Sequence, residues 1–239
     1  MDWLSQDCQN IYLIFVVVGA IAFLLLGTFI YRASGGSKIG RLAAAACTAG
    51  ALWNIVLLAR CLLHGTEFAP LAAKVYLAML LAISGIALHF AQALSAKKYP
   101  EVLNYVPAAA LAVPLLVTDL FVKSEVLHWY TIAGSVGPLG WLLLAYVLLY
   151  ILWTVAISAN TLIVKGGRIE NAELLGGILA ILPLMFCGFL DVGTRAAGFP
   201  FPPISNIFSI PVAAAVFWLS RAHRGAQAKN QKNNTGERQ

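Results

Sequence analysis

Seven apolar runs, each long enough to cross hydrocarbon, follow one another along this chain of 239 residues, with short segments between them. A helix needs roughly 20 predominantly apolar residues to cover about 30 Å of bilayer core. In that solvent only helices and closed barrels satisfy their own backbone. The runs are 11–31, 42–63, 69–94, 105–122, 141–164, 172–192 and 203–220. Apolar character extends from 129 to 164, too far for one crossing, but Gly134, Gly137, Pro138 and Gly140 interrupt its beginning, so the fifth run starts at Trp141. Charged residues make up only 11% of the chain, where a soluble domain carries about a quarter. The predicted fold class is all-α: a polytopic membrane protein with a seven-transmembrane helix bundle over residues 1–222. A basic disordered tail, 223–239, follows it.

The basic residues set the orientation, because Lys and Arg collect on the cytoplasmic side of short loops. One face holds Arg32, Lys38, Arg41, Lys97, Lys98, Lys165, Arg168, Arg221, Arg224, Lys229, Lys232 and Arg238, twelve of the sixteen; the other holds Arg60, Lys74, Lys123 and Arg195. The N-terminus is therefore predicted outside and the C-terminus inside a plasma membrane. This topology accounts for the net charge of +6. The basic tail then meets anionic lipid headgroups, and no nucleic-acid partner is required. The first run is preceded by Asp2 and Asp7 and followed by YRASGGSKIGR, so it reads as a retained span instead of a cleaved signal.

Several chemistries lack their residues. A retinal protein needs a lysine in its last helix, and PPISNIFSIPVAAAVFWLS has none. A membrane haem needs facing histidines, and a zinc hydrolase needs clustered ones. Here only His89 lies within a span, while His64, His128 and His223 are scattered. Cys8, Cys47, Cys61 and Cys187 form no CxxC pair, and Cys47 and Cys61 on one helix would stand about 21 Å apart, beyond disulfide reach. No catalytic residue, metal site or cofactor is predicted. His89 with Gln92, one turn later in ALHFAQAL, reads as an interhelical hydrogen-bonding pair. Asn54, Ser84, Thr154 and Ser158, the polar groups deeper in the spans, are expected to tie helices together, and the small residues of AAAACTAGA to allow close approach. A pump would carry ionisable groups at mid-span, and this chain has none there.

The outer helix ends are different. Arg60, Lys74, Asp119, Asp191 and Arg195 lie at about one depth on the predicted outer side, with Asn206 opening the seventh span. Two readings stand side by side. In one, Asp191 and Arg195 pair across a helix turn while Arg60 and Lys74 snorkel to the interface. In the other, Arg60, Lys74, Asp119, Asp191, Arg195 and Asn206 line a polar vestibule of net charge +1 that receives a ligand. SEVLHWYTIAGSVGPLG, too glycine-rich for an ordinary helix, is expected to form a lid or an interfacial hairpin over that side.

ALWNIVLLAR, GIALHFAQAL, VPAAALAVPLLVTDLF, GGILAILPLMFCGFLDVGTRAAGFPFPPISNIFSIP and the basic exit SRAHR, in this order, resemble the seven-transmembrane N-terminal sensory region of bacterial histidine kinases and related signalling proteins. The resemblance implies an input module in a bacterial inner membrane, whose last helix leads into a kinase or cyclase. Here 19 residues follow Ser220, without a phosphoacceptor histidine segment, ATP-binding glycines or a cyclase motif. Output is then expected from a cytoplasmic signalling partner, or the chain is a fragment or a diverged relative. The resemblance supplies no site residues.

The sequence thus predicts a non-enzymatic membrane sensor or receptor module that binds a small or lipophilic ligand at the outer vestibule. Two alternatives remain. A small-solute transporter would use Pro107, Pro114 and Pro183 to break helices near the midplane, and an accessory subunit would pack its apolar faces on other membrane chains.

Overall fold

The computed structural model describes residues 2–33, 38–63, 65–95, 100–128 and 131–164, with Phe186, Phe189 and Leu190. Apart from those three residues, the expected sixth and seventh spans and the tail lie outside the described residues. Five helices and one hairpin are seen: α1 (Asp2–Ala33), α2 (Lys38–Leu62), α3 (Ala69–Ser95), α4 (Val102–Val117), β1 (Val122–His128), β2 (Thr131–Val136) and α5 (Gly140–Val164). Within them Leu13–Arg32, Lys38–Leu62, Ala69–Ala93 and Gly140–Thr161 are long and apolar enough to cross a membrane. The described chain is all-α but for the hairpin, and four such helices mark a multi-pass membrane protein.

α3 is the hub, packing on α2, α4 and α5, while α1 lies along α2. Leu80, Leu81 and Leu88 of α3 are buried with Trp53 and Leu57 of α2, Leu115 of α4 and Leu143 and Val147 of α5. Between helices in lipid the attraction comes from close packing, because the tails are as apolar as the side chains. The small residues of α2 serve that purpose. Phe23 of α1 rests on Gly50, and Gly27 faces Cys47 and Ala44. Ile14 and Leu25 of α1 and Leu149 and Leu152 of α5 point outward, an arrangement suited to hydrocarbon and not to water.

α4 departs from the expected fourth span. It begins at Val102 and ends at Val117, sixteen residues, about 24 Å at 1.5 Å per residue. It stops where Thr118 turns extended and sends both its amide and its hydroxyl back to the Pro114 carbonyl. Val122, read from the sequence as the end of the span, opens β1 instead. The strands hold β-branched residues with polar ones between them, a composition that suits a pleated pair better than a crossing helix. They pair antiparallel, with Val122 opposite Val136 and His128 opposite Thr131. The glycine-rich segment is therefore a hairpin, resting on α3 through β1 and on α2 through β2.

Neither Pro107 nor Pro114 breaks α4. Proline has no N–H, so Pro107 leaves the Leu103 carbonyl without its helical donor, and the Tyr150 hydroxyl of α5 donates to that oxygen at 2.8 Å. The chain thus repairs its own proline defect across a helix interface, as a membrane-buried backbone must. Tyr150→Phe is expected to cost about 1 kcal/mol in reversible unfolding from mixed micelles. In a Pro107→Ala background, where residue 107 regains its N–H, the same change is expected to be nearly silent; an unchanged cost there would refute the compensation.

The mid-span polar residues behave otherwise than expected. Asn54 donates to the Gly50 carbonyl at 2.9 Å and Ser84 to the Leu80 carbonyl at 2.9 Å, each within its own helix. Side chains of this length reach the carbonyl one turn back more readily than a neighbouring helix. The Thr154 and Ser158 hydroxyls are buried with no hydrogen-bond partner among the described residues. None of the four is seen tying two of the described helices together.

Candidate functional site

Polar side chains gather at the two ends of the α3–α4 pair. The first group lies where α2 ends and α3 begins, beside the hairpin. Lys74 enters it from just over a turn inside α3, and its ammonium meets the Asp119 carboxylate at 2.8 Å. The two partners differ sharply: the Lys74 side chain is 11% exposed and that of Asp119 is 80% exposed. Asp119 sits in the turn between α4 and β1, and the turn is held from behind. The Gly137 amide donates to the Phe121 carbonyl at 2.8 Å and the Leu139 amide to the Leu120 carbonyl at 2.9 Å. This contact requires glycine, since a Cβ at 137 would stand 2.2 Å from the Leu120 oxygen.

Arg60, at the last turn of α2, is only 3% exposed. Its guanidinium carbon lies 5.4 Å from the centre of the Tyr76 ring, and Tyr76 stacks on Trp53 at 5.3 Å. The snorkelling expected of Arg60 is thus replaced by burial against an aromatic face, where a desolvated cation gains about 2 kcal/mol. Lys74 precedes Tyr76 by two residues, about 200° around the helix. Arg60 and Lys74 therefore occupy opposite sides of α3, and the structure brings Lys74 and Asp119 together without Arg60. Asp191, Arg195 and Asn206 lie outside the described residues.

The second group lies at the other end, where α3 ends and α4 begins. The His89 Nδ1 and the Tyr105 hydroxyl share a hydrogen bond 2.7 Å long. The Asn104 side-chain amide donates to Gln92 Oε1 at 2.7 Å. Glu101 Oε1 stands 3.6 Å from His89 Nε2 and accepts a hydrogen bond from the Lys38 ammonium at the start of α2. The Lys38 hydrogen bond and charge, with a smaller contribution from His89, hold the Glu101 carboxyl below the ordinary carboxylate range. Close backbone approach makes the group possible. A Cβ on Gly85 would lie 2.6 Å from the Asn104 carbonyl oxygen, so α4 passes directly over that glycine.

His89 and Gln92 each bond across to α4, as interhelical partners should. Lys38, Glu101, Asn104 and Tyr105 were not among the residues expected to form a site. The signal was available: α3 and α4 are joined by a short link, so their adjoining ends must face each other. Glu101, Asn104 and Tyr105 recur at the three- and four-residue spacing of one helix face. Among the described residues no three of His, Cys, Asp and Glu converge as metal ligands would.

Comparison with protein-family models, with characterised proteins and with solved structures gives no match. The site is read from its own geometry.

Proposed function

We propose that the chain is a non-enzymatic, sensor-type module of a plasma membrane, and its likeness to sensory regions points to a bacterial inner membrane. A ligand arriving at the hairpin end changes the packing of α3 against α4. The basic residues place that end outside and the Lys38–Glu101 end in the cytoplasm, where a signalling protein reads the change.

One observation carries this reading: α3 and α4 are fastened by polar contacts at both ends, Lys74 to Asp119 at one and His89, Gln92, Tyr105 and Asn104 at the other. A packed helix pair has discrete arrangements, so loosening one fastening redistributes the pair at the other. The transporter reading draws less support, because α4 continues through Pro107 and Pro114.

Hydrogen exchange of the full chain in lipid nanodiscs tests the coupling. Lys74→Gln is expected to raise amide exchange not only around the α4–β1 turn but also across 95–105, at the opposite end. Exchange altered at the turn alone would remove the coupling and with it the sensor reading.

A further inference from the structure

Lys74 is a cation largely withdrawn from solvent, and Asp119 is the counter-charge it meets among the described residues. A shielded ammonium is costly to leave unpaired, whereas an exposed carboxylate returns to water at little cost. Such a pair exchanges anions more readily than it opens. The turn carrying Asp119 is pinned through its backbone at Leu120 and Phe121 and at Thr118, so the side chain can swing away while the frame that positions Lys74 stays in place.

The surroundings narrow the anion. Leu71, one turn before Lys74 on the same side of α3, is exposed. So are Val117 and Leu120, on either side of Asp119, and Val113, one turn before Val117. Exposed apolar side chains of both helices thus lie within a turn or two of the pair in sequence. A small hydrated anion gains nothing from such side chains. A molecule with one carboxylate and one apolar chain satisfies both features, since its head reproduces the group it displaces and its tail lies along Leu71, Val113 and Val117.

We propose that Lys74 is the receiving group for the carboxylate of a single-chain lipophilic acid drawn from the adjoining leaflet, with Asp119 as the built-in competitor that occupies the place when the acid is absent. This rests on the hairpin end being the input of the sensor, and it names the chemical class that the input takes.

Competition has a signature that a merely structural ion pair lacks: the two partners of the pair respond in opposite directions. Labelled laurate is bound to the full chain in nanodiscs, with acetate and dodecanol as competitors. Saturable laurate binding is expected, with neither acetate nor dodecanol displacing it at equal concentration. Lys74→Gln is expected to weaken binding at least about tenfold, and Lys74→Arg to retain it, which separates loss of charge from loss of fold. Asp119→Asn is expected to tighten binding several-fold, because the internal competitor is gone. Absence of saturable binding, displacement by acetate as effective as by laurate, or weakening by Asp119→Asn would each overturn the site. Hydrogen exchange at 95–105, followed in the same samples, separates this proposal from the one it rests on. Laurate bound without a change there upholds the site and removes the sensor reading; a response to Lys74→Gln there without laurate binding does the reverse.

Discussion

Trp53→Ala lowers the stability of the helix bundle by about 3 kcal/mol, toward the lower end of large-to-small aromatic substitutions in cores. Trp53 is fully enclosed, and its indole stacks on Tyr76, whose ring in turn faces the Arg60 guanidinium. Removing the indole withdraws packing from Tyr76 and through it from the surface that shields a buried cation. In lipid the water-transfer part of the loss is small, and the forfeited contacts account for most of the cost. Reversible unfolding in mixed micelles gives the number, and proteolytic cleavage after Arg60 rises in parallel. Trp53→Phe keeps a stacking ring and removes an indole N–H that has no hydrogen-bond partner among the described residues, so it is expected to cost about 1 kcal/mol or less. Equal losses for both variants would mean that the stack does not carry the stability assigned to it.

Gly85→Ala is expected to destabilise by about 1–3 kcal/mol, the usual range for overpacking. The added methyl would stand 2.6 Å from the Asn104 carbonyl oxygen. That neighbour is backbone, which cannot rotate away, so α4 must lift from α3. Lifting stretches the Asn104–Gln92 and His89–Tyr105 hydrogen bonds, both 2.7 Å long in the unstrained pair. The penalty is therefore partly that of the polar group at the α3–α4 end. A cycle with Gln92→Leu measures the shared part, and the double variant is expected to lose less than the sum of the single ones. Strict additivity would show that Gly85 affects packing alone. In nanodiscs, Gly85→Ala is also expected to raise amide exchange at 95–105, as Lys74→Gln does from the other end.

How far the residues themselves revealed this arrangement differs from element to element. α1, α2, α3 and α5 lie where their apolar runs lie, because an unbroken run in hydrocarbon has little choice but a helix. The run that includes α4 misled at its end. Asp119 was expected near the outer end of a span continuing to Val122, but Thr118 folds back on Pro114 and the chain enters a strand. Under the transporter alternative Pro107 was a candidate break; Tyr150, brought alongside by the packing of α5, supplies the missing donor. Within the candidate site, Lys74 and Asp119 were legible as ionisable groups expected at one depth, and the structure pairs them. Arg60 was legible by depth as well, yet it belongs to a different side of α3.

What the sequence determined by itself is the membrane character of the chain, the helical character of its long apolar runs and how far along their helices Arg60 and Lys74 lie, because all three follow from local runs and from distance along a helix axis. The tertiary structure alone decided the partners: Asp119 for Lys74, Tyr76 for Arg60, Lys38 for Glu101. Depth along a helix is counted in residues. The direction a side chain takes around that helix is decided by which neighbours pack against it, and helices apolar on nearly every side carry no stripe from which that direction can be read.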